Sequence, residues 1–543
     1  MKKWAIHWCK DLQKTAKTAI APTVVAALIF LVTWRYFGMD NTMIAPFATL
    51  SYLSFRSMQK KAGCMLITFV IYLAMAAAAW LAVRDVILCL TVNAAALFWI
   101  TYFHIDEYQP ANYFPAGMAL IFFQIAPAHT ASALLTRAEA LGVSFLIIGL
   151  FVLIPLLIRP QPDRLRGMTA YGLALSGQLV RAAESGDTAL LEQVRGELRT
   201  VSHKISKAIY TANRGQVLPR GRVNWYCQFP AFFQCTDYFL RPDALAGPDA
   251  SASLQRARTL LEKAYRIFQD TKPEPNYKKL TFRYNRPDLR NFRFRFALRT
   301  LIVITPCLLF SYVSGLENVY WLVISVFFMM IPFSEGTRNR VRQRVTGSIF
   351  GILICFFLFS VFGDLYSRIL IMTIANFFIY SASGYTSMVA YITCSAMAVQ
   401  TVHSSVTVVL LERLVYTLIG AAIALLANRY IFPIRTRLQM LYILDILGRI
   451  RKHLASLPDT AQAADPEHTA YLFLAFGFRR LHRGTISPSC LRHQRDQLII
   501  KSYLLIQRLY ALQASIPDGR ELPNLQEQID HHMDELSACL SRM

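Results

Sequence analysis

The chain has 543 residues, of which 55% are hydrophobic and only 17% charged, with a formal net charge of +24. Soluble domains are nearer a quarter charged, so this balance excludes an ordinary soluble protein of this size. The positive excess is explained first by the Lys and Arg that hold connections on the cytoplasmic side of a bilayer, and only after that by a polyanionic partner.

The apolar residues are clumped. The stretches 18–34, 64–83, 86–103 and 137–158 approach or reach the roughly 20 residues needed to cross a hydrocarbon core. A backbone in lipid must satisfy its own hydrogen bonds, so such runs predict spanning helices. The N-terminal MKKWAIHWCK is read as the start of the first anchored helix, because no small-residue cleavage site follows Leu31. The predicted spans are 17–36, 42–55, 64–83, 86–103, 111–127 and 138–158, then 297–314, 319–333, 345–362, 367–382, 384–401 and 410–431. Helices two and eight are short and contain or abut Pro46 and Pro332. The expected fold class is therefore all-α integral membrane, with about 12 transmembrane helices as two parallel six-helix repeats, each followed by a cytoplasmic helical domain. The domain limits expected are 1–160, 161–296, 297–433 and 434–543.

Basic residues fall at alternate connections. Lys2, Lys3, Lys10 and Lys14 precede the first helix; Arg56, Lys60 and Lys61 follow the second; Arg164 and Arg166 follow the sixth. In the second half Arg338, Arg340, Arg342 and Arg344 are placed between helices eight and nine, and Arg435 and Arg437 after the twelfth. The loops 38–41 and 315–318 carry no base, so both termini are expected in the cytoplasm.

The halves repeat one another. Gly38-Met39-Asp40-Asn41 answers Gly315-Leu316-Glu317-Asn318, and Arg56-x3-Lys60-x2-Gly63 answers Arg340-x3-Arg344-x2-Gly347. Glu139 precedes Pro160, and Glu412 precedes Pro433, by the same interval, with His129 and His403 in nearly matching places upstream. Each repeat has an even number of spans, so the two are related by an axis along the membrane normal, which puts a transport pathway at their interface.

Residues 161–296 and 434–543 contain no spanning stretch. Apolar residues recur at three- and four-residue steps over 170–178, 190–209, 441–454 and 498–512, which predicts amphipathic helices, with loops at 241–249 and 457–467. No phosphate-cradling Gly-rich loop, nucleophile elbow or zinc pattern occurs, so neither an ATP motor, an enzyme, a metal site nor a cofactor is expected. The ten cysteines are scattered and read as small apolar fillers. At 278–299 bases alternate with aromatics, a pattern suited to anionic lipid headgroups or to an electrostatic collar for organic anions; nucleic acid is not expected.

The stretch ALRTLIVITPCLLFSYVSG followed by NVYWLVISVFFMMIPFSEGTRNRVRQRVTGSIFG (297–351) resembles the fusaric acid resistance and aromatic acid exporter family of bacterial inner-membrane proteins. More distantly, plant malate-conducting anion channels resemble one such six-helix unit. The family resemblance implies a multi-pass inner-membrane efflux transporter for aromatic or other weak organic acids. It also implies a periplasmic membrane-fusion adaptor, since short external loops cannot cross a periplasm. Other expected partners are the organic-acid substrate, anionic lipids and a second copy of the chain in a homodimer. A passive organic-anion channel and a membrane scaffold for envelope biogenesis are the alternatives.

Arg340, Arg344, Gly347 and Gly351 fall on one helical stripe. The substrate-binding residues expected are Arg340, Arg344, Arg338, Arg56 and Lys60, whose cationic heads suit a carboxylate; membrane anchoring and a plain glycine packing seam are the competing reading. For proton coupling the expected residues are Glu139, Glu412, His129, His403, Asp106 and Glu107. Ion pairs of the glutamates with Arg137 and Arg413, and solvated loops for the rest, compete with that.

Overall fold

The computed structural model describes residues 2–57, 61–105, 111–158, 164–213, 226, 228–248, 250–269, 289, 291–316, 318–382, 384–400 and 406–434, and, near the C-terminus, 527, 530, 531, 533–535 and 538. Among the described residues there is helix and no strand. In chain order the main helices are α1 (Lys2–Phe37), α2 (Ile44–Ser57), α3 (Lys61–Ala82), α4 (Val86–His104), α5 (Phe114–Ile125) and α6 (Ala131–Ile158). Next come α7 (Arg164–Ser185), α8 (Thr188–Asn213), α9 (Gln228–Phe239) and α10 (Ala250–Gln269). The last run is α11 (Phe292–Val313), α12 (Tyr320–Met329), α13 (Ser334–Val361), α14 (Leu365–Ser381), α15 (Tyr385–Gln400) and α16 (Val406–Tyr430).

Two compact units result, one joining Met1–Pro160 to Phe292–Arg435 and the other joining Gln161–Asn291 to Thr436–Met543. The first, the membrane unit, holds both six-helix runs. Among the described residues, seven of its helices are long and apolar enough to cross a bilayer unaided. Helices α2, α5, α12, α14 and α15 are shorter; α12, at 10 residues, rises only about 15 Å at 1.5 Å per residue. Its side chains explain how that is tolerated. Trp321 to Phe327 are all buried, so the irregular backbone at its ends faces protein instead of lipid. Helix α5 is likewise buried along Ala116–Ile121 and at Phe123.

The two runs are built into each other. Helix α1 packs on α14 and α4 packs on α11, so the first helix of each run lies against the fourth of the other. Thr15 Oγ1 donates to the carbonyl of Ser381 across the α1–α14 contact, at 2.9 Å. This reciprocal exchange is what a two-fold relation between the two runs produces, and it fits the expected repeat. Hydrogen bonds join the first half of α1 to the end of α14, the start of α5 to the end of α12, and the start of α11 to the end of α16. The side bearing these ends, which alternation of the helices gives also to the ends of α2, α4 and α6, is referred to below as the basic face.

Several helix starts precede the expected spans, among them α1 at Lys2 against 17 and α6 at Ala131 against 138; one bears on the site. Helix α13 begins at Ser334, so Arg338, Arg340, Arg342 and Arg344 are helical instead of lying in a connection before residue 345. No Pro or helix-disrupting pair occurs between Ser334 and Val361 to stop it, and the charges alone do not unwind a helix whose other turns are packed.

The described part of the second unit, helices α7–α10, packs around Leu173, Leu179, Leu198, Ile205, Phe229 and Phe233. Asp237 is buried among these helices and accepts from Nε of Arg195 at 2.7 Å and Nε of Arg199 at 2.9 Å. The amphipathic segments expected at 441–454 and 498–512 and the loop at 457–467 lie outside the described residues, as do Cys227 and most of the aromatic-basic stretch before Phe292.

Candidate functional site

The site is built where the two short helices meet. On the basic face the start of α5 lies against the end of α12, bringing together the two runs. Phe114 stacks on Phe328 with centroids 5.6 Å apart and stands edge-on to Phe327 at 5.4 Å. Tyr113 is buried beside them, donating its hydroxyl hydrogen to the carbonyl of Met330 at 2.9 Å. Gly117 has no Cβ because the ring of Phe327 fills that space.

Two arginines of α13 border this aromatic cluster. The guanidinium of Arg340 lies 3.3 Å from the ring centroid of Tyr385, at the start of α15, and its Nε reaches the carbonyl of Phe328 at 3.4 Å. One turn deeper, Arg344 packs over the ring of Phe328 at 4.8 Å, and its Nη1 is 3.5 Å from the Tyr385 hydroxyl. Arg344 is only 1% exposed, yet its Nε and Nη2 have no hydrogen-bond partner. Ser348, the next turn along, also has a buried hydroxyl without a partner. A buried ionised group with unpaired donors is costly unless an anion or solvent meets them. Planar donors beside aromatic faces suit a carboxylate attached to an apolar or aromatic body.

The glycines of the stripe have a separate task. A Cβ on Gly347 would lie 2.5 Å from the carbonyl of Thr386, and one on Gly351 would lie 2.7 Å from that of Ala390. They let α13 and α15 approach closely, with Arg340 and Arg344 on the preceding turns of α13.

At the opposite face Glu412 is half-buried and accepts a 2.7 Å hydrogen bond from Asn318 Nδ2. Gln400 Nε2 donates to Asn318 Oδ1 at 2.5 Å and also contacts the Tyr320 hydroxyl. These groups tie together the ends of α12, α15 and α16. No ion pair joins Glu412 to Arg413; the arginine turns inward instead, over the ring of Trp321 at 3.8 Å.

The first run differs. Arg137 is buried, and its Nε, Nη1 and Nη2 donate respectively to Asn41 Oδ1 at 3.2 Å, the Phe123 carbonyl at 3.1 Å and the Ala126 carbonyl. Asn93 and Gln124 exchange amide hydrogen bonds of 3.0 and 2.7 Å, and Ser51 meets Tyr72. Glu139 and His129 are exposed. Arg56 is exposed on the last turn of α2, with the ring of Tyr52 5.9 Å away, and Gly63 has no neighbour where a Cβ would be. Arg56 therefore lies on α2 and Gly63 on α3, so these two members of the matched spacing share no helical face. Arg338 points to the exterior. Lys60, His403, Asp106 and Glu107 lie outside the described residues. Tyr113, Phe328 and Tyr385, which sequence reading did not single out, stand around Arg340 and Arg344; Arg413, expected only as an ion-pair partner of Glu412, packs on Trp321 instead. Among the described residues no three His, Cys, Asp or Glu side chains are grouped to hold a metal.

Residues 306–427 match the family model described as fusaric acid resistance protein-like. Over that segment the chain is similar to that family. The fusaric acid resistance-like segment begins within α11 and ends within α16, and so contains Arg340, Arg344, Tyr385 and Arg413. The chain is 30% identical over 144 residues to the inner membrane protein YccS of Escherichia coli (strain K12), covering 26% of this chain and 20% of that protein. It is 27% identical over 143 residues to an uncharacterized protein of Haemophilus influenzae, covering 26% and 20%. It is 28% identical over 149 residues to the uncharacterized protein ORF2 of Neisseria gonorrhoeae, covering 26% and 34%. The chain thus spans about a fifth of the length of the first two of these relatives. No solved structure is significantly similar to it.

Proposed function

We propose that the protein is a bacterial inner-membrane transporter that exports aromatic or other weak organic acids, taking them up at the aromatic-lined mouth between the two repeats. The observation that carries this is Arg344, buried among Phe328 and Tyr385 with two unpartnered N–H groups. Arg340 gives the outermost guanidinium, Arg344 the next, and the rings from α5 and α12 offer faces for an aromatic body. The excess of bases on this face supports a cytoplasmic side for it and for both termini. Export of a weak acid against its gradient fits coupling to protons, with Glu412 at the far end of the route as the group that exchanges them. A periplasmic adaptor would carry the product onward.

The test uses purified full-length protein in vesicles. With a pH gradient imposed, labelled benzoate should move uphill, and Arg344→Ala should abolish that movement while inserting normally. A well-inserted Arg344→Ala protein with unchanged flux would refute the role of the mouth. One observation favours a second reading, a passive anion conductance: no carboxylate among the described residues pairs with Arg344 to link anion and proton movement. Benzoate flux indifferent to the pH gradient would support that reading.

A further inference from the structure

Among the described residues, Arg413, on α16, is one of three fully buried arginines of the second run, with Arg299 and Arg344. It is 1% exposed, its Nε and Nη1 have no partner, and it forms no ion pair with any described residue. Trp321 covers one face of its guanidinium, with the ring centroid at 3.8 Å. That contact is not sufficient to satisfy the group. Guanidinium hydrogens lie in the plane of the group, so a ring stacked on its face leaves the edge donors unpaired. Trp321 is itself 6% exposed and its Nε1–H is also buried without a partner. The nearby hydroxyl of Thr417 donates its hydrogen to the carbonyl of Arg413 itself, at 2.7 Å. Three buried donors therefore gather with no acceptor to meet them.

Electrostatics sharpens the point. Arg344 on α13 and Arg413 on α16 are both fully buried, and these two helices pack against each other. Two guanidiniums held in one apolar interior repel; a single negative group between them or beside either relieves both. The first run shows what a purely structural arginine looks like here, since the three nitrogens of Arg137 each meet an oxygen.

We infer that Arg413 and Trp321 form a second anion site, deeper than the Arg340–Arg344 mouth, which takes a single carboxylate group through the guanidinium edge and the indole N–H. This site stands whether or not the protein exports acids, and whatever drives it.

The experiment is binding, not transport. Iodide serves as a contact quencher of tryptophan emission in the purified full chain, and formate as the competing carboxylate. Wild-type protein should show a saturable quenched component, absent from Trp321→Phe, that formate displaces and the neutral quencher acrylamide does not reproduce. Arg413→Gln should weaken formate binding at least tenfold by calorimetry, with Arg413→Lys intermediate because it keeps the charge but not the fork. Trp321→Phe, which keeps the ring packing, should weaken it several-fold, so the idea stays testable if Arg413→Gln fails to fold. Equal formate affinity in wild type and Trp321→Phe, or quenching that acrylamide matches, would overturn the proposal. Failure of benzoate flux alongside intact formate binding would refute the exporter and leave this site standing.

Discussion

The side-chain amide of Asn318 donates a 2.7 Å hydrogen bond to Oε2 of Glu412, whereas its counterpart Asn41 accepts one of 3.2 Å from Nε of Arg137. The same residue, in the same loop of each repeat, serves opposite charges. Substitution should separate them. Asn318→Asp sets a carboxylate against Glu412 and should lower stability by about 1–3 kcal/mol. Asn41→Asp gains a charged partner in Arg137 but loses the donor now bonded to the Phe37 carbonyl, so its cost should be clearly smaller. Thermal unfolding of both variants in detergent decides this; equal losses would contradict it.

The glycine seam makes a second contrast. Gly347→Ala and Gly351→Ala must push α15 away from α13, because backbone carbonyls stand 2.5 and 2.7 Å from the added carbon. Each should cost roughly 1–3 kcal/mol, as overpacking does. Gly63→Ala meets nothing within 4 Å on helix α3 and should be neutral or stabilising by up to about 1 kcal/mol. Melting curves of the three variants compare them directly.

At the mouth, burial separates two arginines six residues apart. Arg338 is exposed and Arg344 is not. If a carboxylate bonds to Arg344, removing that charged donor should weaken benzoate binding by roughly 10- to 100-fold, corresponding to about 1.5–3 kcal/mol. Arg338→Ala should leave it within a factor of two or so, as expected of a surface charge. Equilibrium binding of labelled benzoate to both variants reads the difference.

The second unit should respond to alkali. Burial pushes the Cys235 thiol up to about 12, well above an ordinary thiol, so the folded protein holds this proton after the unfolded chain has released it. Stability should therefore be level below about pH 9 and fall between there and about pH 12, by about 1.4 kcal/mol per pH unit from this group. Cys235→Ser should flatten that part of the profile in chemical unfolding of the full chain. The native thiol should also resist maleimide at pH 8 and react once the chain is unfolded.

Much of the fold could be read in advance because it depends on composition along the chain. Runs such as 64–83 are too apolar for anything but a membrane, and alternate basic connections set the order of the helices. The site was less legible. A spacing becomes a face only where the helix is continuous: Arg340 and Arg344 share one because α13 runs unbroken, whereas Arg56 and Gly63 sit on different helices. Whether a buried arginine is paired is equally invisible in one dimension. Arg137 and Arg413 look alike in sequence, and only the carbonyls that α5 turns toward Arg137 tell them apart. Tyr385 lies 41 residues from Arg344, and no local pattern links them.

The exchange of α1 for α14 and of α4 for α11 has a consequence for biogenesis. Thr15 cannot reach the Ser381 carbonyl until a chain 366 residues longer has been synthesised. At about 5–20 residues per second, the first helix waits some tens of seconds in the bilayer for its permanent neighbour. A newborn first half is thus a set of inserted helices with two unsealed flanks, in need of temporary cover by lipid or by an insertion chaperone. Truncation before α14 should leave a protein that enters the membrane but is cleared by quality-control proteases.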